Sequence, residues 1–216
     1  MSYRAIVAIL ALILGAPALA DTIAVIGTGD VGGALGPEFA AQGHTIVYGS
    51  RDPQRGKVKE LVEKTGDLAS ATTPAEAAAQ ADIVVLAVPG LMVEEITKSL
   101  GDLSGKIIID PTNPLERRMN RLEHAVDTSN AEIIQAAAPG AYVVKAFNTL
   151  NWRTMVDPSS AGGPVSIPLV GDNGRAKKIV AELVAGMGLE PIDVGPLRDA
   201  RWVEGMLILW INNRYG

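Results

Sequence analysis

The stretch from Thr22 to Gly32 constrains the fold of this chain more than any other feature. It begins as an apolar, β-branched run typical of a buried strand and ends in Gly-x-Gly-x-x-Gly, with glycines at 27, 29 and 32. An amphipathic segment from Val31 to Gln42 follows and is predicted to be a helix. In this order Gly27 permits a tight turn, Gly29 lets the backbone approach phosphates, and Gly32 lets the helix pack on the strand. The free N–H groups of the helix N-terminus then face an anion, which predicts a dinucleotide site.

The residues after the second predicted strand indicate which dinucleotide is bound. Thr45 to Tyr48 is that strand, and the chain continues with Gly49-Ser50-Arg51, where NAD-binding proteins carry an acidic residue for the ribose hydroxyl. A Ser hydroxyl and an Arg guanidinium suit a 2′-phosphate, and Arg55 adds positive charge. The sequence therefore favours NADP(H) over NAD. The alternative is that Ser50 and Arg51 only begin a solvated loop, with Asp52 capping a helix that starts at Pro53.

Composition limits the class of protein. The 216 residues allow one domain with a small appendage, and 48% hydrophobic content is ample for a single core. A formal net charge of -5, with no basic stripe, argues against a nucleic-acid partner. With no cysteine there can be no disulfide, thiol nucleophile or zinc–thiolate site.

The first twenty residues resemble a secretory signal cleaved after Ala20. Arg4 precedes a continuous apolar run from Ala5 to Leu14, and Ala18-Leu19-Ala20 offers small residues at the positions that a signal peptidase reads. The run is short for a membrane span. We expect a mature chain from residue 21, without a membrane span, in the periplasm or secreted. An uncleaved anchor is one alternative, and a later start codon, giving a cytoplasmic protein, is another.

Alternating strand-like and helical segments predict an α/β fold of the Rossmann type. We expect a doubly wound, mainly parallel sheet in a single domain spanning residues 21–216, with a short C-terminal helical extension at Arg201 to Ile211. Trp152 to Ile167 is expected to be an irregular loop. The arginines at 117, 118 and 121 are expected to lie on a solvated helix face.

Ligands of such sheets bind beyond the carboxyl ends of the strands, which adds candidates to the site. Asn113 and Asn148 follow two predicted strands and could orient a nicotinamide amide or another flat heterocycle, although each could instead be a turn residue. Val88, Pro89 and Ala146 stand at equivalent strand ends. Phe147, beside Asn148, is expected to fill the core.

No catalytic acid–base, nucleophilic or metal-ligand constellation is evident in the sequence. His44 is expected to be structural and His124 to be solvated. A dehydrogenase acting on an alcohol needs a proton acceptor near the hydride. Its absence favours hydride transfer between two redox heterocycles, which the protein mainly orients.

Several blocks of the chain resemble the NADPH-dependent coenzyme F420 reductases. They are the glycine loop, Gly49-Ser50-Arg51-Asp52, Asp110-Pro111-Thr112-Asn113-Pro114-Leu115, Val144-Lys145-Ala146-Phe147-Asn148-Thr149 and Val194 to Arg201. The same region is similar to the NADPH domain of the six-transmembrane metalloreductases (STEAP-type), which pass electrons through flavin to iron or copper. The Glu116 to Asp127 segment departs from the F420 reductase pattern.

The resemblance implies an oxidoreductase that moves a hydride between NADPH and F420, with a small-molecule redox cofactor as its substrate. It implies that Thr28, Asp30 and Val31 hold the pyrophosphate, and that Val88, Pro89 and Ala146 to Asn148 border the nicotinamide, with F420 or a flavin against it. It also implies a homodimer, with Leu207 to Ile211 at the interface. The alternatives are a flavin or ferric reductase, a non-catalytic NADP-binding module, and an imine or acid reductase, although the chain is short for the last.

Overall fold

A single eight-stranded sheet organises the part of the chain that the computed structural model describes, residues 21–215. The predicted signal lies outside the described residues. The strands are β1 Thr22–Ile26, β2 Thr45–Gly49, β3 Ala69–Thr72, β4 Ile83–Leu86, β5 Ile107–Asp110, β6 Leu115–Arg118, β7 Arg121–His124, β8 Tyr142–Lys145, β9 Ser166–Val170 and β10 Glu190–Gly195. The α-helices are α1 Asp30–Ala41, α2 Gly56–Thr65, α3 Pro74–Gln80, α4 Val93–Ser99, α5 Asn130–Ala137, α6 Trp152–Val156, α7 Gly174–Gly186 and α8 Ala200–Tyr215. Short 3₁₀ turns span Gly90–Met92, Pro158–Ala161 and Leu197–Asp199.

The strand order is β10-β9-β8-β5-β4-β1-β2-β3, and β6 and β7 form a separate antiparallel hairpin. Every neighbouring pair in the large sheet is parallel except β8 and β9. The order runs outward in both directions from β1, which pairs with β2 on one side and β4 on the other. Ligands bind at such a reversal point, beyond the carboxyl ends of the strands. The predicted Rossmann-type fold is confirmed.

Side chains alternate across the sheet and build a core on each face. On β1, Ile23 and Val25 pack under α1 and α7, whereas Ala24 and Ile26 face the layer that contains α3, α5 and α8. These four side chains are at most 2% exposed. Helices cover both faces, so the strands read as continuous apolar runs rather than as alternating ones.

Polar side chains cap the N-termini of α3, α5 and α7. Thr73 accepts from the backbone N–H of Glu76 in a complete capping box. Ser129 accepts from the N–H of Glu132, and Asn173 from that of Ala176. Each cap satisfies an N–H group that has no partner within the helix.

Two expected helix positions are wrong. The Asp52 carboxylate accepts from the Gln54 N–H, and this local turn delays α2 until Gly56, with Arg55 as its N-cap. The arginines at 117, 118 and 121 lie on the β6–β7 hairpin instead of a helix. A two-residue turn at Met119, whose φ is +52°, and Asn120 joins its strands.

The segment expected to be an irregular loop contains α6 and a 3₁₀ turn. Asn151 caps α6 by accepting from the Arg153 N–H, and Met155 is buried in the core. The C-terminal helix runs from Ala200 to Tyr215, beyond both predicted ends. None of the helices between residues 21 and 215 has the length and apolarity needed to cross a membrane.

Candidate active site

The glycine loop adopts the close-packed geometry that its sequence predicts. Gly27 has a φ of +102°, and a Cβ there would lie 2.1 Å from the Ala87 carbonyl oxygen. A Cβ at Gly32 would lie 2.0 Å from the Gly27 carbonyl oxygen. These two glycines are required by the fold itself. A Cβ at Gly29 would meet no atom within 4 Å, so this position faces open space at the start of α1.

A cleft of about 730 Å³ opens beside this loop. Eight of the predicted site residues line it, namely Gly27, Thr28, Gly29, Ser50, Arg51, Arg55, Val88 and Pro89. The sequence did not identify the opposite wall, which α3, the 3₁₀ turn at Gly90–Met92 and α4 form through Pro74, Met92, Glu95, Ile96 and Ser99. No sequence motif marks these five residues, because they lie on helical connections between strands and reach the cleft only once the chain is folded. The cleft has the size and concavity of a cofactor site.

Two guanidinium groups make this cleft suitable for an anion. Arg51 and Arg55 both line it, and no carboxylate of residues 21–215 forms an ion pair with either. Ser50 is 9% exposed, and its hydroxyl donates to the Asp52 carbonyl oxygen and accepts from the Asp52 N–H. This turn fixes the direction of the chain at the end of β2, where the ribose of a dinucleotide would lie. The arrangement fits a 2′-phosphate.

The remaining predicted residues lie outside the wall of this cleft. Asp30 and Val31 begin α1, and Gly32 is buried against the strand turn. Ala146 has no exposed surface and packs in the core. Phe147 is 1% exposed and makes an edge-to-face contact with Phe39, with 6.2 Å between ring centroids. Its predicted position in the core is confirmed.

Asn113 and Asn148, predicted separately, form one hydrogen-bonded pair. The Asn113 Nδ2 donates to the Asn148 carbonyl oxygen, and the Asn148 Nδ2 donates to the Asn113 Oδ1, both at 3.0 Å. Asn148 is 2% exposed. Its Oδ1 has no hydrogen-bond partner among the described residues, although a buried carbonyl oxygen normally has one. The pair therefore contains one buried acceptor that is unpaired among the described residues.

A buried ionic cluster lies directly behind the Asn113–Asn148 pair. The Lys145 ammonium contacts Asp110 Oδ2, Glu204 Oε1 and the Thr112 carbonyl oxygen, each at 2.6 Å. The side chains of Lys145, Asp110 and Glu204 have no exposed surface. His124 completes the cluster, with 2.8 Å between its Nε2 and Glu204 Oε2. Three charged side chains are therefore held together out of contact with water.

Burial raises the pKa of Glu204 above its ordinary value, and the attraction of Lys145 offsets only part of that rise. The expectation that His124 is solvated is wrong, because its side chain is 20% exposed and bonded on both nitrogens. Sequence reasoning missed this cluster because its members come from β5, β7, β8 and α8. The Lys145 position within an apolar strand was the one available signal, since lysine is seldom fully buried unless paired.

The described residues contain no group of three or more His, Asp or Glu side chains placed to hold a metal ion. The site is thus a cleft at a glycine loop that carries two guanidinium groups, with a neutral amide pair outside its wall. Together with the Rossmann-type sheet, it has the arrangement of a dinucleotide-binding protein.

Comparison with known proteins agrees with this class. The sequence profile of the family "NADP oxidoreductase coenzyme F420-dependent" matches residues 22–114. The F420-dependent NADP reductase of Methanothermobacter thermautotrophicus is 32% identical over 207 residues, covering 88% of this chain and 88% of that protein. The chain therefore belongs to the family of F420-dependent NADP oxidoreductases.

Two further proteins show how much of each chain the similarity covers and how closely the fold agrees. Rat metalloreductase STEAP3 is 32% identical over 191 residues, and the match covers 88% of this chain but only 37% of that protein. A crystal structure from Arthrobacter sp. FB24, provisionally described as an F420-dependent NADP-reductase, superposes with a TM-score of 0.81 at 34% identity, over 89% of this chain and 92% of the other.

The residues present fit NADP(H). The open space at Gly29 leaves room for a pyrophosphate at the N-terminus of α1. The guanidinium groups of Arg51 and Arg55 suit the additional phosphate that distinguishes NADP from NAD. The free Oδ1 of Asn148 suits a carboxamide N–H group.

Proposed function

We propose that the protein transfers a hydride between NADP(H) and the deazaflavin coenzyme F420. The observation that carries the proposal is the pairing of an anion-binding cleft with the neutral Asn113–Asn148 amide pair. In hydride transfer between two redox heterocycles the cofactors carry the chemistry, and the protein supplies binding and orientation. Relatives named F420-dependent NADP reductases, matched over most of their length, support the choice of acceptor.

The cofactor-binding roles follow from where each residue lies. Thr28 and the N-terminus of α1, with Asp30 and Val31, would hold the pyrophosphate. Ser50 would fix the turn that presents Arg51 to the 2′-phosphate. Val88 and Pro89, which line the cleft, and Ala146 to Asn148 would border the nicotinamide.

The protein's own contribution to the reaction is orientation. When bound, NADPH supplies a hydride, and the balanced reaction is NADPH + F420 + H⁺ → NADP⁺ + F420H₂. Asn148 would fix the rotation of a carboxamide, because its Oδ1 is buried and lacks a partner. Holding two rings in reactive contact can account for much of the rate enhancement of such a reaction.

The direct test is to mix the purified protein with NADPH and oxidised F420 and to follow the deazaflavin absorbance. NADH in place of NADPH, and FMN in place of F420, serve as parallel controls. Loss of the F420 absorbance with NADPH, and little with NADH, is the expected result. NADPH binding without turnover of F420 or FMN would instead favour a non-catalytic NADP-binding module.

A flavin-dependent ferric reductase is the second candidate. It is favoured by the 32% identity with rat metalloreductase STEAP3 over 191 residues, which is similar to the identity with the F420-dependent enzymes. Reduction of FMN but not F420 in the same assay would select it.

The exposed face of α8 supports a proposed homodimer. Trp202, Met206 and Leu209 follow helical spacing and are 67%, 56% and 71% exposed. Contiguous exposed apolar side chains of this size are typical of an interface. A second copy of this chain is the proposed occupant, in agreement with the sequence resemblance.

We also propose export of the mature domain, on the signal-like residues before Asp21. The mass and N-terminal sequence of the protein recovered from cell fractions would test this. A chain that begins at Asp21 in the periplasm or medium is expected, whereas an intact N-terminus in the cytoplasm would contradict it.

A further inference from the structure

The β6–β7 hairpin is fastened to α8 at two points. The Asn212 amide clamps Leu122, accepting from its N–H at 2.9 Å and donating to its carbonyl oxygen at 2.8 Å. The second fastening is the contact between His124 and Glu204. The first cannot gain or lose a proton, whereas the second can.

Hydrogen bonding at His124 requires one proton more than a neutral imidazole and an ionised carboxylate provide. The Nδ1 lies 2.7 Å from the Val126 carbonyl oxygen, which can only accept, so Nδ1 carries a hydrogen. Nε2 lies 2.8 Å from Glu204 Oε2. If Glu204 is ionised, Nε2 must carry a second hydrogen. If Nε2 is bare, the carboxyl group must carry it. In both cases one proton lies between these two atoms.

The net charge of the buried cluster also indicates one proton on the His124–Glu204 pair. Lys145 contributes one positive charge, and Asp110 and Glu204 contribute two negative charges, all without solvent contact. One added proton makes the cluster neutral, which avoids the large penalty of a net buried charge. Burial also raises the pKa of Glu204, in the direction of holding this proton.

Other titratable groups lie around this pair. Glu123 lies on the opposite face of the hairpin from His124, where it pairs with Arg118 at 3.7 Å. The Glu132 carboxylate on α5 accepts from Thr128 and Ser129. The charged side chains on the elements packed against α8 are Asp110, Lys145, His124, Arg121, Glu123, Glu132, Arg198 and Asp199.

The two elements that carry His124 and Glu204 each contact one residue of the Asn113–Asn148 pair. The Asn148 Nδ2 donates to the carbonyl oxygen of Val203, which precedes Glu204 on α8. The Leu115 N–H, at the start of the hairpin, donates to the carbonyl oxygen of Asn113. Hairpin and helix therefore each hold one member of the Asn113–Asn148 pair.

We propose that His124 and Glu204 are positioning residues that share a single proton, and that this proton fastens the hairpin to α8 and holds Asn113 and Asn148 together beside the reacting rings. Its effect on turnover rests on the proposed function. The proton-binding property does not, because it follows from the fold alone. His124, the partly exposed member, is where the proton enters from solvent.

Glu204→Gln separates this proposal from a purely structural role. Its amide keeps an oxygen for Lys145 and Asn130 and places a permanent N–H against the bare Nε2 of His124, so the hydrogen bond remains but the carboxyl group is gone. Asn212→Ala is the control, because it breaks the other fastening and removes no titratable group.

The measurement is the unfolding equilibrium from about pH 5 to about pH 10 for the full chain and both variants. In the unfolded state Glu204 releases its proton in the ordinary carboxyl range and His124 near pH 6.5, about the ordinary histidine value. Above that pH the folded pair still holds one proton that the unfolded pair has lost, in the direction of the raised pKa of Glu204. Stability therefore falls as pH rises through the raised pKa, by up to about tenfold in the folding constant per pH unit. Glu204→Gln should lose this slope, and Asn212→Ala should keep it while being less stable throughout.

A second measurement does not depend on how the variants fold. The chain has two histidines, so ¹⁵N-labelled imidazole signals can be assigned with His44→Gln. A slowly exchanging proton at His124 Nε2, lost at alkaline pH, is expected. A wild-type protein without that proton, or a Glu204→Gln variant with the full wild-type pH slope, would overturn the proposal. Failure of F420 reduction alone would contradict only the proposed function.

Discussion

Lys145 on β8 lies in register with Asp110 on β5, and its ammonium contacts the Asp110 carboxylate at 2.6 Å with neither side chain exposed. The pair joins the two strands whose ends carry Asn148 and Asn113. It thereby ties the stability of the sheet to the geometry of the amide site.

Replacing Lys145 by Met should lower the free energy of unfolding by about 3–5 kcal/mol, because it removes the ammonium group that both buried carboxyl groups contact. Denaturant titration would measure the loss. Lys178→Met is the matched control, since Lys178 is exposed and its ion pair with Glu182 spans 3.9 Å. This control should change stability by less than about 0.5 kcal/mol. Equal small losses in both variants would contradict a structural role for the cluster.

Arg51→Ala should weaken NADPH binding by about 2–3 kcal/mol, the scale of a lost charge-assisted hydrogen bond, and leave NADH binding nearly unchanged. Calorimetric titration with each cofactor measures the difference. Arg175→Ala removes an equally exposed charge from α7, away from the cleft, and should affect neither cofactor. Equal losses for NADPH and NADH in Arg51→Ala would contradict the 2′-phosphate assignment.

Gly29→Ala should separate binding from folding. Its Cβ meets no protein atom within 4 Å, and its backbone is extended with φ of -85°, so the free energy of unfolding should change by less than about 0.5 kcal/mol. The methyl group would enter the space proposed for the pyrophosphate, and NADPH affinity should fall by at least about tenfold. Gly32→Ala should instead destabilise the fold, because its Cβ would lie 2.0 Å from a backbone oxygen. Unchanged NADPH affinity in Gly29→Ala would contradict the proposed position of the pyrophosphate at Gly29.

Leu209→Lys tests the proposed dimer. A charge on the exposed α8 face should disrupt association. Leu209 is 71% exposed, so its replacement should leave the monomer folded. Sedimentation measures the mass of both proteins. A wild-type monomer, or a Leu209→Lys variant of unchanged dimer affinity, would contradict the interface.

The capping box of α3 should contribute to acid sensitivity. Hydrogen bonds from Thr72 and Thr73 lower the pKa of Glu76, so the unfolded state binds more protons in the acid range. The contribution of Glu76 is therefore present above its ordinary pKa and is lost as pH falls through the lowered one. Glu76→Gln should flatten the acid side of the stability profile. An unchanged acid slope would show that the carboxylate is not held in the folded state.

Local signals predicted most of the sheet and half of the site. The glycine loop and each buried strand are short continuous stretches of sequence. The roles of residues such as Gly27 and Ile83 can therefore be predicted from their immediate neighbours. Ser50 and Arg51 could also be predicted, because they stand at a fixed distance from that loop.

The remainder depends on distant contacts. His124 was expected in solvent because its own segment is charged, and its partner Glu204 lies 80 residues away. The far wall of the cleft, including Pro74 and Ile96, comes from two separate crossovers. Asn113 and Asn148 were each predicted singly, but their mutual hydrogen bonds span 35 residues. Periodicity carries no information about such pairings.

The position of α8 at the end of the chain also determines the order in which the sheet and the amide site can form during synthesis. During synthesis the strands that carry Asp110 and Lys145 leave the ribosome before α8, and Glu204 and Asn212 follow later. Until then the hairpin lacks both of its fastenings. A nascent chain therefore completes its sheet before its amide site, and any shortened version that ends ahead of α8 should retain much of the sheet while losing the order of that site.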